Sequence, residues 1–156
     1  MPREVKRVLP TEKYKEGDVI TFKHVDNGTV KEDISLIVTE NSIKFTSNFS
    51  FSEEVYRFRA ISKNTQLGHQ LSIDYTSKEN TLNITFTVLG DKKYSYYRIV
   101  REEDAISVDD VPYEHIFRID NRIDYIYSSV PAYGYLSNAE GFIKFVSGSS
   151  ELKRIN

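Results

Sequence analysis

The feature that most constrains the fold is a strict alternation of apolar and polar residues along most of the chain. In the clearest segment, every second residue from Leu82 to Val88 is apolar, and the residues between are Asn or Thr. Because successive side chains of a strand point to opposite faces, this period predicts a strand with one buried face and one wet face. The same period recurs in the rows Ile20 and Phe22; Ile34, Leu36 and Val38; Ile43 and Phe45; Leu71, Ile73 and Tyr75; Tyr94 and Tyr96; Tyr113, Phe117 and Ile119; Ile123, Tyr125 and Tyr127; and Ile143 and Phe145.

Short turn signals separate these rows, among them Asp26-Asn27-Gly28 and Leu89-Gly90-Asp91. Connections this short favour antiparallel neighbours, since parallel pairing needs crossovers of about a dozen residues. We therefore predict an all-β fold: one antiparallel meander over residues 14–156, curled into a half-barrel or flattened barrel. Residues 1–13 are predicted to be an N-terminal tether or linker.

Two segments break the pattern. Residues 52–61 fit either a helix, with Val55, Phe58 and Ile61 on one face, or a strand with Tyr56, Phe58 and Ala60 inward. The alternating charges of Arg57 and Arg59 favour the strand. The acidic stretch 101–110 is predicted to be a loop.

Charge and cysteine content exclude several classes of function. The chain has 21 basic and 23 acidic residues and a formal net charge of −2, so it lacks the excess of positive charge that is typical of nucleic-acid-binding proteins. It has no cysteine, and no stretch approaches the roughly 18 apolar residues of a membrane span. The first ten residues lack the apolar run of a signal peptide. No phosphate-cradling glycine loop and no G-x-S-x-G motif is present, so no cofactor and no serine nucleophile are expected.

The metal-site hypotheses depend on histidines and carboxylates. His24, His69 and His115 are each in phase with an apolar row, and three histidines can hold zinc. No two of them are close in sequence, however, so polar residues near strand ends are the favoured interpretation. The acidic residues 102–104, 109 and 110 lack the spacing of a calcium-binding loop, which favours a solvated face. No metal is expected.

Aromatic side chains are the remaining candidates for binding. We predict a mostly filled interior, because the inward rows carry bulky groups, namely Phe22, Phe45, Phe58, Phe86, Tyr94, Tyr96, Phe117, Tyr125 and Phe145. Ligand binding is then expected at the rim or on an outer face. The candidate binding residues are Tyr97, which is out of phase with its neighbours, and Tyr133 and Tyr135.

Leu9-Pro10 and the stretch Tyr14–Lys23 resemble the opening of small uncharacterised cell-envelope lipoproteins of Bacteroidetes-type bacteria. Residues 126–128, 141–145 and 151–152 are similar to the closing hairpins of that group. The chain departs from the group in lacking the lipid-bearing cysteine and a tryptophan near the end. The resemblance implies an antiparallel fold and an envelope location, periplasmic or attached to the outer membrane, with any lipid anchor outside this sequence.

The expected function is that of a non-enzymatic envelope protein that binds a partner protein or a small apolar ligand. Two alternatives stay open at this point. One is a carboxylate-dependent hydrolase of envelope or dietary polymers, and the other is a carbohydrate-binding module.

Overall fold

The computed structural model describes residues 8–47, 52–79, 81–96, 98–121 and 132–155, and strands are 69% of the structure. No helix in this part of the chain is long and apolar enough to cross a membrane. A single 3-10 turn spans Thr65–Leu67. The strands are β1 (Val19–Asp26), β2 (Thr29–Val30), β3 (Ile34–Ser47), β4 (Ser52–Ser62), β5 (Gln70–Thr76), β6 (Thr81–Val88), β7 (Asp91–Tyr96), β8 (Arg98–Val108), β9 (Val111–Asp120), β10 (Ala132–Ser137), β11 (Gly141–Ser147) and β12 (Ser150–Arg154).

Eleven strands form one antiparallel sheet in the order β7-β6-β5-β4-β3-β1-β12-β11-β10-β9-β8, and β2 pairs with β1 beside this path. Sequence neighbours pair as hairpins, and the first and last long strands, β1 and β12, pair in the middle. The sheet is curled and not closed into a barrel. The predicted all-β, curled antiparallel fold is therefore confirmed.

Chain connectivity explains the curl. The strands at the two edges of the sheet, β7 and β8, are separated in sequence by one residue. Two residues on either side of a single residue lie no more than about 7 Å apart. The two edges must therefore approach each other where β7 ends and β8 begins, and the apolar side chains of most strands form one buried cluster inside the curl.

Phenylalanine rings from opposite parts of the sheet meet in the interior. Phe22 of β1 contacts Phe86 of β6 with ring centroids 5.2 Å apart, and Phe86 contacts Phe145 of β11 at 5.8 Å. Phe58 of β4 contacts Phe142 of β11 at 5.4 Å. All five side chains are fully buried, so the middle of the curled sheet is filled by its own side chains.

Four members of the predicted apolar rows lie elsewhere, including Ile43, which is 48% exposed, and Ile143, which packs in an outer cluster. The prediction for Phe45 was wrong, because this side chain is 64% exposed. Phe45 pairs with Glu54 and so lies on the same face as Tyr56 and Phe58, but in the part of the β3–β4 hairpin that projects beyond the core. Tyr113 packs in an outer cluster and not with Phe117. Tyr125 and the side chains of Tyr94 and Tyr96 lie outside the described residues.

The segment 52–61 is the predicted strand, within β4, with Tyr56, Phe58 and Ala60 buried. The prediction of a loop over residues 101–110 was wrong. Most of the stretch belongs to β8, which pairs with β9 up to a two-residue turn at Asp109 and Asp110. The acidic composition of β8 led to the wrong prediction. The hairpin of β8 and β9 packs on the outer face of the sheet through a small apolar cluster, which consists of Val108, Ile116 and Ile143 with Tyr113 and Tyr135 packed against it.

Residues 8–18, which we call the N-terminal plug, cover one end of the curled sheet. Val8 and Leu9 are fully buried, although residues 1–13 were predicted to be a tether. The side-chain amide of Asn41 donates to the carbonyl of Tyr14 at 2.8 Å, and that of Asn138 donates to the carbonyl of Leu9 at 2.7 Å. The plug therefore closes the end at which β1 and β11 begin.

Candidate ligand-binding pocket

The opposite end of the curled sheet opens into a pocket of about 670 Å³. This volume falls in the range of roughly 300–1,000 Å³ that is usual for small-molecule sites. The pocket lies where β1 and β6 end and where β5 and β7 begin. Its lining residues are His24, Asp26, Lys31, Glu32, Asp33, Ile34, Leu67, His69, Val88, Leu89 and Asp91.

One side of the pocket, the charged wall, is built by the end of β1 and the connection to β3. His24 and Asp26 come from β1, and residues 31–33 follow β2. The backbone amide of Lys31 donates to the carbonyl of His24 at 2.9 Å, which holds the connection against β1. His24 is only 8% exposed and forms the buried base of this wall, whereas the charged residues 31–33 form its rim.

The other side, the apolar wall, is built by two turns that are locked together. Leu67 and His69 come from the turn before β5, Val88 ends β6, and Leu89 and Asp91 lie in and directly after the turn to β7. The amide of Gly90 donates to the carbonyl of Gly68 at 3.0 Å. A Cβ at Gly68 would lie 3.0 Å from the Gly90 nitrogen, so the close approach of the two backbones requires glycine there.

His69 is fixed by the same pair of turns. Its Nδ1 accepts a hydrogen bond from the amide of Leu89 at 3.2 Å, so in the neutral ring the hydrogen is on Nε2. Burial lowers the pKa of His69 below its usual value of 6.5. The neutral imidazole is therefore the form that holds the apolar wall together.

Leu89 occupies a backbone conformation that disfavours its side chain. Four two-residue turns in the described chain begin with a residue in the left-handed region, and in three of them that residue is not glycine: Asn27 (φ 52°), Asp109 (φ 51°) and Leu89 (φ 51°). Asn and Asp are the side chains that tolerate this region best, and leucine is not. Leu89 is nevertheless 67% exposed and contributes little to the core.

Of the tyrosines singled out in the sequence, Tyr133 and Tyr135 do not line this pocket. Tyr97 lies outside the described residues. Tyr133 and Tyr135 lie half-buried on the outer face, with ring centroids 6.0 Å apart. The guanidinium of Arg118 stacks 4.5 Å above the Tyr133 ring, so the pair also has a packing role.

The histidines are divided between two places. His24 and His69 line the same pocket, whereas His115 is exposed on β9, so the three imidazoles do not lie together. Among the described residues, no group of three or more His, Cys, Asp or Glu side chains has a metal-binding arrangement. The Leu-Gly pair at a two-residue turn was the sequence signal that could have located the pocket.

The pocket offers apolar contact together with His69 and Asp91 from one wall, and carboxylates, an ammonium and the His24 imidazole from the other. Such a combination suits recognition of a small molecule that has both an apolar body and a polar group. Comparison of the chain with protein families, with curated proteins and with solved structures finds no match.

Proposed function

We propose that this protein is a binding protein for a small molecule with an apolar body, held in the pocket at the open end of the curled sheet. The observation that carries the proposal is Leu89, an exposed leucine in a left-handed turn position on the pocket wall. The filled interior supports a site at the rim, because aromatic rings occupy the middle of the sheet.

The backbone conformation of Leu89 is energetically unfavourable for leucine, which indicates that this side chain serves binding and not the stability of the fold. A non-glycine residue in the left-handed region loses about 1 kcal/mol relative to right-handed backbone, and Asn at this position would lose less. Exposed Leu67, on the facing turn, adds a second apolar side chain to the wall. Residues that are locally unfavourable and outside the core concentrate at functional sites, and here both leucines border one cavity.

The experiment is a fluorescence titration with N-phenyl-1-naphthylamine, a neutral apolar probe, on the wild-type chain and on Leu89→Asn. We expect saturable binding at one site in the wild type and binding weaker by roughly tenfold or more in the variant, since burying a leucine contributes about 1.5–3 kcal/mol and each 1.4 kcal/mol is about tenfold. The variant should unfold at a higher temperature, because Asn suits the turn. Ile155→Asn, which replaces an exposed apolar residue outside the pocket, is the matched control.

Two results would contradict the proposal. One is the absence of saturable binding to the wild-type chain. The other is equal probe affinity in Leu89→Asn, in Leu67→Asn and in the control, which would mean that the apolar wall does not contact the probe.

We further propose that the binding takes place in a bacterial cell envelope. Only the resemblance of the first and last parts of the sequence supports this location. Fractionation of the source cells, followed by detection with an antibody, tests it; recovery in the cytosolic fraction would rule the location out.

A further inference from the structure

We infer that the ligand of the pocket is a small cationic amphiphile, with an organic ammonium group against the charged wall and an apolar body against Leu67 and Leu89. This inference rests on the proposed function and names the chemical class that the site would accept. It depends on how the charges of the pocket are distributed and on which of them are already paired.

The pocket concentrates negative charge. Its lining holds the carboxylates of Asp26, Glu32, Asp33 and Asp91 against the single ammonium of Lys31, a formal excess of three negative charges with both histidines neutral. The whole chain has a formal charge of only −2, so the remainder of the surface is close to balanced. A cleft with charge of one sign and apolar walls attracts small ions of the opposite sign.

Most of this charge is not offset by neighbouring side chains. Within the described part of the chain, Glu32, Asp33 and Asp91 take part in no ion pair. Asp109 on the outer face is the contrast, since it pairs with both Lys144 at 3.0 Å and Lys153 at 3.3 Å. His69, whose pKa burial lowers, does not add a compensating positive charge at neutral pH.

The arrangement selects among ligand classes. A fatty acid or another anionic amphiphile would bring like charge against the carboxylates, which is unfavourable. A divalent cation would need several carboxylates converging on one point, and the lining residues form no such group. A ligand with a monovalent ammonium group on an apolar body can place the ammonium against the carboxylates and the apolar body against the apolar wall at the same time.

The test is isothermal titration calorimetry with three ligands that share a ten-carbon body: decylamine, decanol and decanoate, each below its aggregation concentration. We expect decylamine to bind most tightly, decanol roughly tenfold more weakly and decanoate most weakly. The preference for the amine should shrink as NaCl is raised from 0.05 to about 0.5 M, because rim charges are screened.

Variants assign the preference to the pocket. Glu32→Gln with Asp33→Asn should weaken decylamine binding roughly two- to fivefold for each carboxylate removed and leave decanol binding unchanged. Glu12→Gln with Glu16→Gln is the matched control, since it removes two exposed carboxylates on the N-terminal plug, at the other end of the sheet.

Each remaining outcome is decisive. Equal binding of the three ligands, or tightest binding of decanoate, would overturn the inference and leave the proposed function standing. Absence of binding by all three would overturn both. An amine preference that persists in the Glu32→Gln, Asp33→Asn and Asp91→Asn variants would place the cation site elsewhere and overturn the inference.

Discussion

Tyr14 and Phe142, 128 residues apart in sequence, contact each other twice. Their rings stack with centroids 5.3 Å apart and an interplanar angle of 8°, and the amide of Phe142 donates to the Tyr14 hydroxyl at 3.0 Å. Arg154 of β12 donates to the same hydroxyl at 3.3 Å. The contacts fasten the N-terminal plug to the sheet and close one end of it, which leaves the pocket at the other end.

The hydroxyl of Tyr14 should therefore contribute to stability. Tyr14→Phe keeps the stacked ring but leaves the buried amide of Phe142 without its acceptor, so we expect a loss of about 1–3 kcal/mol in the free energy of unfolding. Tyr133→Phe, a hydroxyl deletion on the outer face, is the control and should change stability by less than about 0.5 kcal/mol. Urea denaturation measures both. Equal stability of the two variants would show that the plug is not held through this hydrogen bond.

Gly141 gives a second test of the same contact. A Cβ there would lie 2.1 Å from the Tyr14 hydroxyl oxygen, on a backbone with φ of 73°. Gly141→Ala should destabilise the fold by more than about 3 kcal/mol, whereas Gly17→Ala, which has the same kind of backbone and open space around it, should lose only about 1 kcal/mol. Similar thermal unfolding of the two variants would contradict the described packing.

The strands could be predicted from sequence where one face is buried and the other is wet. Leu82–Val88 is such a case, and its alternation reappears directly as burial in β6. The exposure of Phe45 could not be predicted, because its side chain keeps the inward phase and is exposed only since this end of the β3–β4 hairpin projects beyond the core. Strand β8 was mistaken for a loop because its acidic residues are typical of a solvated loop and its pairing with β9 is not visible in the sequence.

The candidate site could be predicted only in part. A rim site was expected because the bulky inward rows leave little internal space. Its residues were not found, since His24 and His69 are 45 positions apart and only the curl of the sheet brings them to one pocket. The tyrosine candidates were chosen for the chemistry of their side chains, because the sequence does not show where those side chains lie in the fold.

The outer hairpin should show an acid-dependent contribution to stability. The hydrogen bond from Lys144 lowers the pKa of Asp109 below its usual 3.8, outweighing burial, and Lys153 lowers it further. Since the folded-state pKa lies below that of the unfolded chain, the contribution is present above about pH 4 and is lost as pH falls through the folded-state value.

We expect Asp109→Asn to lose about 0.5–1 kcal/mol at pH 7, a small figure because the side chain is partly exposed and screened, and to lose nothing at pH 2. Asp110→Asn is the neighbouring control. Denaturation of both variants between pH 2 and pH 7 checks this; a pH-independent difference from wild type would mean that the ion pair is not its source.

His69 should titrate below pH 6.5. Its contribution to stability is present above the unfolded-state value and decreases as pH falls toward the lower folded-state pKa, because burial disfavours the charged imidazole. Protonation of Nδ1 would also remove the acceptor of the Leu89 amide. An NMR titration of the imidazole resonances, assigned by comparison with His69→Gln, gives the midpoint directly. A midpoint at or above 6.5 would contradict the described environment.

The most direct measurement of the central claim is NMR chemical-shift mapping of the isotopically labelled protein during titration with decylamine. The account predicts saturable shifts at the methyl groups of Leu67, Leu89 and Val88 and at the His69 imidazole, with the resonances of Tyr14 and Asn138 in and beside the plug unchanged. Shifts centred on the outer cluster of Tyr113 and Tyr135, or no saturable shifts at the apolar wall, would contradict it.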